Sequence, residues 1–258
     1  MSDLDIRNRE WEETLMKKTL IVVLLLALAL ILVACHAYKK HKNPISPRYF
    51  YSEADEDAYE KMITEQIGPF DEVLHELVSP DLHIDILPIP PAEGRDYLTL
   101  VTMGMGAYPM PVPAEYGKFN RAELAIRLPA DWDYHSDKEE WYWPIRTLKT
   151  LARMPYRQST WLGLYHDVDF EEPFSPETGL CGVLLDFYDP DLEPLTLENG
   201  DRVILYNVIP LYRAEIDYKL AHEAAALLEM LPPETVSGPV DVHRPCAVPP
   251  DGKEGSSA

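Results

Sequence analysis

DYLTLVTMGMGAYPMPVP, residues 96–113, followed six residues later by NRAELAIRLPADW, residues 120–132, decides how this 258-residue chain is read. Tyr97 to Thr102 is a compact β-rich run of aromatic, β-branched and leucine side chains. Gly104 to Gly117, rich in Gly, Pro, Met and Tyr, reads as a long loop. Ala122 to Leu128 then alternates apolar and polar as a strand, and Pro129 ends it.

The pattern extends in both directions. Upstream, Ser52 is a candidate N-cap followed by acidic residues suited to a first helical turn. Tyr59, Met62, Ile63, Gln66 and Ile67 recur at helical spacing, and Gly68-Pro69 stops that helix. Val73, His75 and Leu77 alternate, as does His83 to Ile86, with Pro80 and the Pro88–Pro91 cluster as punctuation. Downstream, Trp143 to Met154 predicts a helix with Ile145, Leu148, Leu151 and Ala152 on one face. Pro144 is allowed near its start. Strands are predicted at Trp161–Leu164, Leu180–Phe187 and Arg202–Val208, the last two separated by an Asn199-Gly200 turn. A long helix is expected from Pro210, with Ile216, Leu220, Ala224, Leu227 and Leu231 as its apolar side and Pro232-Pro233 as its stop. Helices and strands are interspersed without strict alternation. That pattern predicts an α+β fold, a mixed and mainly antiparallel sheet flanked by helices, in one compact domain over residues 53–231. Residues 232–258 carry Pro, Gly and Ser with little apolar content and read as a disordered tail.

Ahead of the domain, residues 1–18 form a leader and residues 38–52 a basic, proline-containing tether. Between them, residues 19–37 hold sixteen consecutive apolar residues, Leu20 to Cys35, behind Lys17 and Lys18. This segment is read as directed to a membrane, as a signal peptide or a transmembrane anchor. Leu32-Val33-Ala34-Cys35 resembles a bacterial lipoprotein signal with Cys35 as the lipidated residue, and Met16 would then be the true start. An uncleaved single-pass anchor is the competing reading. Counting Lys and Arg on the two sides gives a tie from Met1 and a cytoplasmic domain from Met16, so the side stays open. The lipoprotein reading is preferred on the small and aliphatic residues before Cys35.

Forty-four Asp plus Glu against 23 Lys plus Arg give a net charge of −21. Such a field repels phosphate backbones and favours basic partners, so no nucleic-acid partner is expected; the simpler consequence of the acidity is solubility. Three cysteines, Cys35, Cys181 and Cys246, build no disulfide framework and no CxxC zinc motif.

No catalytic constellation emerges. Thr102-Met-Gly-Met-Gly-Ala lacks the third glycine of a dinucleotide loop, and a proline follows where a helix should open. His222-Glu223 starts like a metalloprotease helix, but Ala226 stands where the second histidine belongs. There is no GxSxG elbow, and nothing near Cys181 supplies a base. His75, His83 and Asp85 fall close together on two adjacent strand-like pieces. A metal site is conceivable there, but without an evident third ligand of open coordination they are read as solvent-facing polar residues. No catalytic residue, cofactor or metal is therefore expected. Trp141, Tyr142 and Trp143, with Trp132 and Tyr134, form an aromatic cluster read either as a core plug or as the anchor for a protein partner.

Four phrases in order carry a family resemblance: residues 96–113, residues 120–132, WYWPIRTLKTLARMP at 141–155 and VILYNVIPLYRAEID at 203–217. Together they resemble the suppressor of fused-like family over roughly Glu53 to Leu231. Thr102-Met-Gly-Met with Pro109-Met110 looks like its glycine-methionine loop. Glu123-Leu124, Leu128-Pro129 and Trp132 look like its strand ending in a tryptophan, and Val208-Ile-Pro-Leu with Glu215 like its final helix start. The resemblance implies a protein-binding domain rather than an enzyme. The animal founder is a two-domain repressor that clamps an extended peptide, and this chain matches only the first domain, so the clamp does not carry over. Bacterial single-domain relatives imply an immunity-type protein that binds and neutralises a cognate toxin; the chain's net charge of −21 makes a basic toxin the expected one. A membrane-anchored hydrolase and a structural envelope lipoprotein are the alternatives.

Overall fold

The computed structural model describes residues 49–79 and 81–249. The leader, the 19–37 segment with Cys35, residues 38–48 of the tether and the final nine residues lie outside them. The first helix, α1 (Glu53–Gln66), begins as its sequence predicts. The Ser52 side chain accepts the Asp55 N–H, and Glu53, Asp55 and Glu56 occupy the positive end of the helix dipole. It ends before Gly68, whose φ of 151° suits glycine.

The remaining elements are β1 (Asp85–Ile89), β2 (Tyr97–Met103), β3 (Arg121–Pro129), α2 (Glu139–Gln158), β4 (Asp167–Asp169), β5 (Leu180–Phe187), β6 (Leu195–Thr196), β7 (Arg202–Tyr212), α3 (Arg213–Met230) and α4 (Pro233–Ser237). They form one seven-stranded sheet in the order β1-β2-β3-β7-β5-β4, with β6 on β7. Every pair is antiparallel except β3 with β7, so the sheet is mixed and mainly antiparallel.

Both faces are covered. Alternating residues send Leu98, Leu100, Leu124, Ile126, Ile204 and Tyr206 to one side, against Trp143, Leu148 and Leu151 of α2. The intervening residues, Leu87, Ile89, Val101, Met103, Val203 and Leu205, pack on Tyr59, Met62 and Ile63 of α1. At the other end of β7, Ile209 and Leu211 with Leu184 lie under Ile216, Leu227 and Leu231. The result is a helix–sheet–helix sandwich.

Four expectations are corrected. No strand forms at 161–164: residues 161–163 are irregular and run into a turn at Leu164-Tyr165, and the edge strand forms at 167–169. Pro210 does not open a helix: β7 continues through it to Tyr212 and α3 starts at Arg213. Proline is tolerated there because β7's pairing with β3 ends at Asn207, so Pro210 breaks no parallel ladder. Within α3, Leu220 is exposed and the chain kinks at Glu223 (φ 70°), so the expected apolar face is not continuous. Finally, residues 233–249 do not form an unpacked tail. They carry α4 and bring Arg244 back onto Glu215 of α3, with nitrogen–oxygen distances of 2.6 Å.

Candidate functional site

At one end of the sheet, Phe187 of β5 and Tyr206 of β7 are cross-strand partners whose rings stack with centroids 6.0 Å apart. The turn before β4 adds Trp161 and His166, centroids 4.2 Å apart, and the loop before β3 lays Tyr116 on Trp161 at 5.5 Å. Gly163 permits this arrangement: a Cβ there would lie 2.6 Å from the Trp161 ring. These side chains, with Phe119, line a cavity of about 410 Å³. Phe119 and Phe187 also border a neighbouring cavity of about 390 Å³ rimmed by Asp189, Asp191 and Glu193, with Arg202 in the same lining 3.8 Å from Glu193. Burial pushes the His166 pKa down and the Tyr206 hydroxyl up to about 12. Aromatic faces beside three carboxylates, one of them paired with Arg202, suit a polypeptide presenting apolar and basic side chains.

A second feature fixes the nearby loop. Glu123, fully buried on β3, accepts from the Gly104 N–H (2.8 Å), the Gly106 N–H (2.9 Å), Tyr51 Oη (2.8 Å) and Thr102 Oγ1 (2.5 Å). Gly104 has φ 123°, and a Cβ there would lie 2.0 Å from the His83 carbonyl oxygen. The glycine-methionine loop thus wraps a carboxylate rather than cradling a phosphate.

The aromatics singled out from sequence divide. Trp143 has no exposed surface and stacks on Phe174 at 4.8 Å, so it is a core residue and cannot anchor a partner. Trp141 is half-buried against Trp132, and Tyr142 alone of the three is exposed. Burial pushes the Cys181 thiol up, which suits a buried hydrophobe. His75, His83 and Asp85 do come together: His75 Nδ1 lies 2.9 Å and His83 Nε2 3.0 Å from the Asp85 carboxylate. The Trp161–His166 groove was missed because its residues were assigned to a strand and a loop. Trp161, Tyr165 and His166 closely spaced after a helix were the available signal.

A mixed sheet between helices, with an aromatic groove at its end, defines an α+β domain. Residues 80–245 match the suppressor of fused protein (SUFU) family, and the chain belongs to that family. Its domain is a protein-binding one. An uncharacterised protein of Ureaplasma parvum serovar 3 is 24% identical over 186 residues, covering 69% of this chain and 88% of that protein. Among solved structures, a chain in the Sufu–Fu complex matches with a TM-score of 0.55 at 14% identity, over 78% of this chain and 93% of its own. A putative SUFU homologue from Neisseria gonorrhoeae FA 1090 matches with a TM-score of 0.54 at 14% identity, over 76% and 98%. Drosophila Suppressor of Fused matches at 0.50 and 13% identity, over 74% of this chain and 48% of that one.

Proposed function

We propose that this chain is a non-enzymatic, immunity-type protein that binds and neutralises a basic protein toxin, held at a membrane through residues 19–37. The observation that carries the binding reading is the groove in which Phe119 and Phe187 join an aromatic cavity to an acidic one. The net charge of −21 extends that preference to the whole chain and accelerates encounter with a basic partner. A structural relative crystallised in a complex with Fu supports recognition of a protein.

The test is a pull-down from the native host with purified full-length chain at low and high salt, beside a Tyr116→Ala, Phe187→Ala double variant. Recovery of a basic protein that weakens with salt, and weakens by about tenfold or more in the variant, is expected. Recovery of acidic or neutral proteins only, without salt sensitivity, would overturn the reading. The genes next to this one add a cheap check: a toxin gene there supports immunity, whereas a metabolic cluster supports the hydrolase alternative.

A further inference from the structure

The opposite edge of the sheet carries a different chemistry. Leu74 and Ile86 form an antiparallel bridge, Leu74 N–H to Ile86 O at 2.8 Å. That register sets His75 opposite Asp85, while His83, two residues before Asp85 in an extended run, shares its face. The backbone therefore gathers the three side chains. Their candidate ligand atoms all lie within 4.8 Å of one another.

The hydrogen bonds around them assign protons. Ser79 Oγ donates its single proton to Glu76 Oε2 at 2.9 Å, and so accepts from His83 Nδ1 at 2.6 Å. This leaves His83 Nε2 with its lone pair facing Asp85 Oδ1 at 3.0 Å. Two lone pairs at that separation need a cation between them, either a proton or a metal ion. The Asp85 carboxylate is itself oriented by the Glu76 N–H, 2.8 Å from Oδ1. Both ligands thus have the outer hydrogen-bond partners that metal ligands use to fix tautomer and direction.

We propose that His75 Nδ1, His83 Nε2 and the Asp85 carboxylate bind a divalent transition metal ion of the zinc class. Two imidazoles and one carboxylate suit zinc, cobalt or nickel rather than magnesium or calcium. Bonds of about 2.0–2.1 Å at tetrahedral angles place neighbouring ligand atoms about 3.3 Å apart. The present 2.9 and 3.0 Å separations are within side-chain rotation of that value, and His75, at 67% exposure, is free to make it. Glu76 is held by Arg153 and Ser79, so the fourth position falls to solvent. Lys149 of α2 is the other cation near Glu76 and Asp85; its pKa is lowered, first by burial. The ion would staple the segment between α1 and β1 to the sheet edge.

The test uses full-length chain stripped with a chelator, then titrated with Zn²⁺ and with Co²⁺. One equivalent should bind, Co²⁺ should give the intense visible bands of tetrahedral coordination, and Zn²⁺ should raise the melting temperature. His75→Ala, at an exposed position, and His83→Ala should each weaken binding at least about tenfold and abolish the melting shift. Absence of Co²⁺ bands at micromolar metal, or affinity unchanged in both variants, would overturn the proposal.

Discussion

Glu123 presents four converging donors and no exposed surface, and its charge state is set by two opposing effects. Burial pushes its pKa up to about 7 and outweighs the hydrogen bonds that favour the ionised form. Because the folded value lies above the unfolded one, the folded state holds an extra proton between them. The proton-linked stability is therefore full below about 4.5 and lost as pH rises through about 7, on the order of 3 kcal/mol in all. Urea unfolding at several pH values should show this slope in the wild type and its flattening in Glu123→Gln. Equal slopes would place the ionisation elsewhere. Glu123→Ala orphans the two glycine N–H groups and two hydroxyls, and should cost about 3–5 kcal/mol by the same measurement. The sequence marked Glu123 as part of a strand but not as buried. Its alternation, Glu123 and Arg127 between apolar neighbours, reads as a solvated face; α1 and the glycine-methionine loop cover that face from far along the chain, so no local pattern could show it. His75, His83 and Asp85 were legible together because strand periodicity alone brings them near. Only the cross-strand register revealed that they meet.

Among the elements, α3 depends on residues that the sequence assigned to a tail. Glu215 is fully buried in its first turn, and accepts from the Tyr212 and Ala247 N–H groups and from both terminal nitrogens of Arg244. The Arg244 guanidinium also sits over the Tyr212 ring, 5.0 Å from its centroid. Low apolar content concealed this segment, because what docks it is an ion pair, a ring, scattered valines such as Val236 and Val240, and hydrogen bonds such as Val240 N–H to the Arg127 carbonyl, rather than a periodic hydrophobic stripe. Arg244→Ala would strand the carboxylate, and a loss of about 3–5 kcal/mol in chemical unfolding is expected. A chain ending at residue 231 should be less stable than one ending at 249 by at least a comparable amount. If the two unfold at the same denaturant concentration, the docking contributes nothing. The Pro210 misreading has a similar origin. Proline commonly marks a helix start, but the apolar run Val208 to Tyr212 continues the strand past it, buried on both faces through Leu211, and the parallel ladder that proline would have broken had already ended.

At the scale of the whole molecule, the sequence joins an acidic domain to an apolar segment at residues 19–37. No helix among the described residues is long and apolar enough to cross a membrane; the attachment proposed above is through residues 19–37, which lie outside them. Moving the sixteen apolar residues Leu20 to Cys35 from water to lipid is favourable by tens of kcal/mol in gross terms, at about 1.5–3 kcal/mol for each large aliphatic side chain. No charged side chain within that run offsets the gain. The protein is therefore expected in the membrane fraction, and Cys35 distinguishes how it gets there. If it is a lipoprotein, Cys35→Ala blocks acylation and cleavage, so the product keeps its signal segment, runs heavier and loses the incorporated acyl label. If residues 19–37 are an uncleaved anchor, the same substitution changes neither the mass nor the fraction. Fractionation and acyl labelling of both forms in the native host read these outcomes directly. Wild-type protein found at full length in the soluble fraction would exclude both modes of attachment at once.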